Sequence, residues 1–448
     1  MISLFSEEST TLRSNTKRTF PIQWGAGFLV AVIVLRIFFV WIFPLLPIYK
    51  YEIFGGVPDQ HMFAVQAVDT MKYSRDMSGQ ILDNPESYVP LIDNQMALIE
   101  RVGATHVAIG TPYDEHFLPV LKLWVDSARR HHLAVWFRGN FSGWEGWFEY
   151  DRIGRDTHKR LLEEFILKNP DLFVTGDIFS PCPECENGGP GDPRSTRDAE
   201  GYRSFLIAER AISLKGFNTL GKSLTVYMSM NGDIARDIIT PKTQKELGGT
   251  VLIDHYVDTP EHFGKDITSI SRAQYGKIGI GEFGAPIPDL QGKMTQEQQA
   301  HFIRKLLYEM YLQRETIPVV NYWTLQGGST AIVSDLGEPR TAYFALQSYF
   351  RAPSVHGLIY NSLGEPLGGA SVSVASTTLS IASGGYSYQV FLPGDLRTLT
   401  VRREGYLSQS VVFPESMSTS SVKDFYLRPV KPTWWYRIRV LVYGEIVH

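Results

Sequence analysis

Between residues 56 and 352 the chain repeats one rhythm eight times: a short apolar run, then a stretch with apolar residues at helical spacing. The apolar runs fall at 63–68, 106–110, 134–138, 172–180, 224–230, 251–257, 278–282 and 319–323. Runs this short and this uniformly apolar are strands covered on both faces, the habit of parallel sheets. The stretches at 91–102, 117–131, 157–168, 202–214, 234–247, 260–274, 296–314 and 341–350 predict amphipathic helices. Thr295-Gln296-Glu297-Gln298 is a capping-box pattern at the head of one of them. Eight strand–helix units over about 300 residues predict an α/β fold closed as a (β/α)8 barrel, the TIM-barrel architecture. A doubly wound sheet is the alternative, but no Gly-x-Gly-x-x-Gly follows a strand.

The flanks read differently. Residues 1–21 are polar and are expected as a cytoplasmic tail. The run 22–49 is apolar and long enough to cross a bilayer as a helix. Arg13, Lys17 and Arg18 precede it, and Lys50 is the sole Lys or Arg between Tyr49 and Met71. That bias predicts a single-pass signal anchor with everything after it outside the cytoplasm; a cleaved signal peptide is the second reading. Arg36 within the run costs about 2.5–3.5 kcal/mol on insertion scales, which the other side chains can carry. Residues 353–429 hold short alternating stretches punctuated by Gly, Pro and Ser, which predicts a small antiparallel β-sandwich. The tail 430–448 mixes aromatics with Arg437 and Arg439, and suits either a membrane surface or one more strand.

A net charge of −4 gives no support for a nucleic-acid partner. Nine Trp and 22 Tyr suit a cleft that stacks sugar rings, although core packing accounts for most of them. The only cysteines, Cys182 and Cys185, form Cys-Pro-Glu-Cys. In an exported chain they predict a local disulfide, with two free thiols as the alternative.

Strand ends of such a barrel converge on one face, where residues distant in sequence meet. Two carboxylate stations stand there: Glu282 ends the seventh strand, and Glu184 and Glu186 follow the fourth. Glycosidic cleavage needs two such groups flanking the bond, one protonated to donate to the leaving oxygen and one to attack. Arg138 and Asn140 end the third strand as candidate substrate contacts, Trp144 and Trp147 follow it as candidate outer subsites, and Gln66 and Asp69 lie near the first. His255 and Tyr256 end the sixth strand, where His255 is expected to orient Glu282 or the sugar and Tyr256 to hydrogen-bond Glu282, and Trp323 ends the eighth. The nucleophile is expected beside Arg138 or Tyr256, and the acid in a less polar loop behind Pro181 and Pro183.

With Glu184, Glu282, Asn321-Tyr322-Trp323 and Ile253-Asp254-His255-Tyr256 in this order, the region resembles the clan A glycoside hydrolases. The resemblance implies Glu282 as nucleophile, an acid/base at Glu184 or Glu186, and Trp323 as a stacking platform for the sugar. The family carries Asn before its acid/base, whereas Pro183 stands here, so the contact to the sugar 2-hydroxyl is expected from Asn187 or Asn231. The segments 355–360 and 364–372, with Gly384-Gly385-Tyr386 and Gly405-Tyr406, resemble the carboxypeptidase regulatory-like domain, usually a non-catalytic spacer. Together these imply a membrane-anchored hydrolase of a β-linked poly- or oligosaccharide, retaining in stereochemistry, with no cofactor and no metal. The rival reading is a non-catalytic glycan-binding surface protein on the same scaffold.

Overall fold

The computed structural model describes residues 32–34, 36, 60–188, 190–374, 377–380, 386–414, 417 and 419–444. Apart from residues 32–34 and 36, the expected cytoplasmic tail and anchor lie outside these residues. Among the described residues, no helix is long and apolar enough to cross a membrane.

Nine parallel strands form one curled sheet: β1 (Val65–Asp69), β2 (His106–Ile109), β3 (Ala134–Phe137), β4 (Ile178–Phe179), β5 (Thr225–Val226), β6 (Ser229–Asn231), β7 (Thr250–Asp254), β8 (Lys277–Phe283) and β9 (Val319–Tyr322). Their order is β5-β4-β3-β2-β1-β9-β8-β7-β6. The two ends of this order, β5 and β6, are halves of the predicted fifth strand, interrupted at Tyr227 and Met228. Tyr227 N–H donates to Phe179 O at 3.1 Å, and Met228 O accepts from Leu252 N–H at 3.0 Å. The ring therefore closes through the chain itself, with eight stations as in a TIM-type barrel.

Two predicted elements are corrected. The fourth strand is only Ile178–Phe179, because Pro170–Leu172 forms a 3-10 turn. Asp177 then accepts from Val135 N–H and Val174 N–H, which fixes the strand's entry. The predicted helix 234–247 is two helices, Gly232–Asp237 and Pro241–Glu246, since Pro241 biases the preceding residue away from helical backbone. The capping box forms as read, with Thr295 and Gln298 each bonding the other's backbone at the start of helix Gln296–Leu312.

The barrel interior is layered. Ala67, Trp136, Ile178, Leu252 and Val319 pack together inside the ring. Side chains two residues apart on a strand share a face. Two residues beyond each of these stand Asp69, Arg138, Ser180, Asp254 and Asn321, so a polar ring caps the apolar layer. On β8, Ile278 and Ile280 face the outer core, and strict alternation would send Glu282 the same way. A register shift against β7 skips Gly281 and sets Glu282 opposite Asp254. This bulge re-aims the carboxylate into the mouth.

Residues 354–427 form two four-stranded sheets. β10 (Ser354–Asn361), β13 (Ser387–Phe391), β16 (Ser421–Val422) and β17 (Phe425–Leu427) make one; β11 (Ser371–Val374), β12 (Thr377–Ser380), β14 (Thr398–Arg402) and β15 (Gln409–Val412) make the other. The first is mixed rather than antiparallel, because β16 and β17 both run parallel to β10. Tyr311 of helix Gln296–Leu312 donates to Phe391 O at 2.9 Å, which seats the sandwich on the barrel. The tail is a helix, Trp434–Tyr443, and not a strand; Arg439 meets Glu365 of the sandwich at 2.7 Å while Trp434 and Trp435 stay exposed.

Candidate active site

Arg138 organises the mouth. Its guanidinium is wholly buried and touches three carboxylates: Nη1 donates to Asp69 Oδ2 at 2.9 Å and to Glu282 Oε1 at 2.8 Å, and Nη2 donates to Asp254 Oδ2 at 2.9 Å. Burial alone would lower the Arg138 pKa, but Asp254, Glu282 and Asp69 outweigh it and raise it well above the usual value. Asp69 is tied in turn by Met71 N–H at 2.6 Å and Asn321 Nδ2 at 3.2 Å. Burial, then the Glu282 charge, push the Asp69 pKa up against the lowering by Arg138.

Glu282 accepts through both oxygens. Arg138 holds Oε1, and Tyr256 O–H donates to Oε2 at 2.8 Å. Both partners are donors, so the carboxylate is addressed as an acceptor. Burial and the Glu282 charge raise the Tyr256 phenol well above its ordinary pKa, which keeps it a donor. The ring of Tyr256 meets Trp323 edge-on at 6.2 Å, and Lys72 Nζ lies 5.5 Å from the Trp323 ring centre.

Glu184 faces Glu282 from the loop after β4. It sits between the two cysteines, which are joined in a disulfide with Cα atoms 5.3 Å apart. Its φ of +46° is a left-handed conformation that non-glycine residues seldom adopt. The disulfide, and a hydrogen bond from Glu184 N–H to Ser229 O at 3.1 Å, hold it there. Burial first, then the charges of Glu282 and Glu186, raise its carboxyl to about 8. One oxygen each of Glu184, Asp254 and Glu282 lie within 4.8 Å of one another.

Glu186 is occupied elsewhere. It is fully buried, accepts from Tyr202 O–H at 2.8 Å, and accepts from Asn231 N–H. It ties the acidic loop to β6 and lies outside the three-carboxyl group. Asn187 accepts from Asn231 Nδ2 at 2.9 Å and hydrogen-bonds Glu184, so this pair braces the loop beside the cleft. Asn140 is buried under the disulfide, bonded to Cys182 Sγ and to His158. Trp144 is wholly buried, stacked on Phe205 and bonded to Cys185 O, so it offers no face to a sugar. Trp147 lies half-buried under Arg75, whose guanidinium sits 4.6 Å from the ring centre. The His255 ring turns away to Asp266 at 3.1 Å, and only its backbone N–H reaches Glu282 O. Gln66 lies on the outer side of β1, away from the mouth, and donates to Gly103 O and Phe350 O.

Sequence reasoning passed over Asp254 and underrated Asp69. Both are legible from strand parity, since each lies two residues beyond an inward-facing apolar residue, Leu252 or Ala67.

No protein-family model and no curated protein matches the chain. Solved structures similar to it include a β-glucuronidase of Bacteroides uniformis (10% identity, 75% of this chain and 44% of that one, TM-score 0.44). An endo-β-1,4-glucanase of Xanthomonas axonopodis pv. citri gives 11% identity over 58% of this chain and 90% of that one, TM-score 0.45. An endoxylanase from a sugarcane soil metagenome gives 12% identity over 63% and 95%, TM-score 0.40. The chain spans less than half the length of the glucuronidase.

Proposed function

We propose that the protein is a glycoside hydrolase that cleaves a β-linked poly- or oligosaccharide with retention, Glu282 acting as nucleophile and Glu184 as acid/base. The observation that carries this is the pairing of Glu184 and Glu282 in unlike environments, with carboxyl oxygens within 4.8 Å. Inversion needs room for a water between carboxyl groups about 6.5–9.5 Å apart, whereas direct attack uses about 5–5.5 Å. Glu184, held protonated near neutrality by burial and its anionic neighbours, donates to the leaving oxygen. Glu282, steadied by Arg138 and Tyr256, attacks the anomeric carbon. The ionised Glu184 then takes a proton from the water that cleaves the glycosyl-enzyme. Trp323 is the stacking surface for the sugar, with Trp147 further out. The chemistry calls on these side chains alone, and the sandwich reads as a regulatory-like spacer.

The same proposal places the barrel outside the cytoplasm, anchored by the apolar run 22–49. The Cys182–Cys185 disulfide supports this, because such bonds persist in oxidising compartments.

The test is hydrolysis by a soluble fragment beginning near Tyr51 on β-glucans, β-mannans, xylans and aryl β-glycosides, beside Glu282→Gln, Glu184→Gln and Glu186→Gln. The reading expects turnover abolished by Glu282→Gln, and lost by Glu184→Gln most severely for poor leaving groups. Glu186→Gln is expected to lower stability more than the chemical step. Glycan binding that survives all three variants with no turnover would favour the non-catalytic rival.

A further inference from the structure

The C-terminal helix, Trp434–Tyr443, carries its apolar side outward. Its inner face is tied to the sandwich: Tyr436 O–H and Ser362 Oγ share a hydrogen bond, Arg439 meets Glu365 at 2.7 Å, and Val440 is half-buried. Trp434, Ile438 and Leu441 fall at i, i+4 and i+7 and so share the opposite face, with Trp435 on its flank. All four are exposed, Leu441 by 77%, and so is Val430 just ahead of the helix. A helix packed on a domain ordinarily buries such a stripe. Here the sandwich holds the polar side and leaves the stripe outside.

Charge narrows what can cover it. From Phe425 to Gly444 the chain holds Arg428, Lys431, Arg437 and Arg439 and neither Asp nor Glu, although its net charge is −4. Arg439 is paired with Glu365, while Lys431 and Arg437 are exposed. A second copy laid on the stripe would bring these like charges together. A handful of side chains also falls short of the about 20–30 residues a side of a stable protein interface. A lipid surface meets each feature: Trp rings settle at headgroup level, Ile and Leu reach the acyl boundary, and Lys and Arg meet anionic headgroups.

Position agrees. Parallel barrel strands all begin at the end opposite the mouth. There Gln66 of β1 donates to Phe350 O at 2.9 Å, and His61, ahead of β1, feels the charge of Arg351. The chain thus enters the barrel and leaves it for the sandwich at the same end. Residues 50–60 span at most about 40 Å when extended, so the proposed anchor 22–49 keeps that end near a bilayer. We propose that the Trp434, Ile438 and Leu441 face lies in the interfacial layer of a bilayer containing anionic lipid and seats the sandwich there. This goes beyond the hydrolase reading and uses neither Glu184 nor Glu282.

The test uses the full chain, reconstituted by detergent removal into vesicles of phosphatidylcholine with or without phosphatidylglycerol. Ile438→Cys carries an environment-sensitive fluorophore; Cys182 and Cys185 are joined and buried, so the new thiol alone is labelled. Leu336→Cys, exposed on the loop after β9 at the mouth, is the control. In anionic vesicles the Ile438 label is expected to shift to the blue and to be quenched by lipids spin-labelled near the headgroup, while the Leu336 label stays water-like. Lys431→Ser and Arg437→Ser are each expected to weaken seating by about fivefold, and Trp434→Ser with Trp435→Ser to lose most of it. These side chains are exposed, so Tm should hold in every variant. An Ile438 label that stays water-like in anionic vesicles overturns the proposal, as does equal quenching with and without phosphatidylglycerol. A label shielded in step with protein concentration, but unquenched by spin-labelled lipid, assigns the face to a second copy and also overturns it.

Discussion

Arg138 and Glu282 meet at 2.8 Å across the barrel mouth, although one directly follows β3 and the other lies on β8, 144 residues apart. The same guanidinium bonds Asp69 and Asp254, so the proposed nucleophile is positioned by a buried charge cluster drawn from four strands. Breaking a buried ion pair by deleting one partner strands the others. Arg138→Met is therefore expected to lose about 3–5 kcal/mol of stability in urea unfolding. Arg138→Lys should recover little of it, because one ammonium cannot present the two-pronged fork that reaches three carboxylates. Unfolding midpoints unchanged in both variants would contradict the cluster's role.

Tyr256 touches Glu282 Oε2 by its hydroxyl alone. Tyr256→Phe keeps the ring against Trp323 and removes one hydrogen bond to a charged group, worth about 1.5–3 kcal/mol. kcat/KM is expected to fall by roughly tenfold to a hundredfold, with little change in Tm. A variant as active as the wild type would show that the hydroxyl does nothing for the chemical step.

Burial first, then the charges of Glu282 and Glu186, lift Glu184 to about 8. An acid must be protonated to act, so kcat/KM is expected to fall as pH rises through about 8. The sign for stability follows. Between the ordinary 4.5 and about 8 the folded chain keeps a proton that the unfolded chain has lost, so stability declines across that window and levels above it. Glu184→Gln removes the decline. Thermal melts should therefore match the wild type near pH 4 and exceed it near pH 9.

The Cys182–Cys185 bond closes a short loop around Glu184, and its entropic share of stability is about 2 kcal/mol. The Cys182→Ser, Cys185→Ser double variant is expected to lose about that much in urea unfolding and to free Glu184 from its left-handed backbone. Its kcat should fall more than its KM rises. Full activity in the double variant would show that the other contacts of the loop suffice.

The barrel was readable because buried parallel strands and amphipathic helices differ in period, and eight alternations leave few closures. That Glu282 and the Glu184 loop share one mouth is legible because the strand ends of a barrel converge there. What the sequence hid was direction. Trp144 follows β3 like an outer subsite, but its ring is needed under the disulfide loop against Phe205. His255 adjoins Tyr256, and opposite faces of the chain send one ring to Asp266 and the other to Glu282. Asp254 follows by parity from Leu252, whereas the aim of Glu282 depends on the bulge that skips Gly281, a backbone event with no side chain to announce it.

The most direct test of the central claim is intact-mass and peptide mapping after incubation with an activated 2-deoxy-2-fluoro glycoside, which slows release of a glycosyl-enzyme. Nucleophilic attack by Glu282 predicts one glycosyl adduct on the peptide containing Glu282, absent from Glu282→Gln. An adduct on any other residue, or turnover that persists in Glu282→Gln, would contradict it.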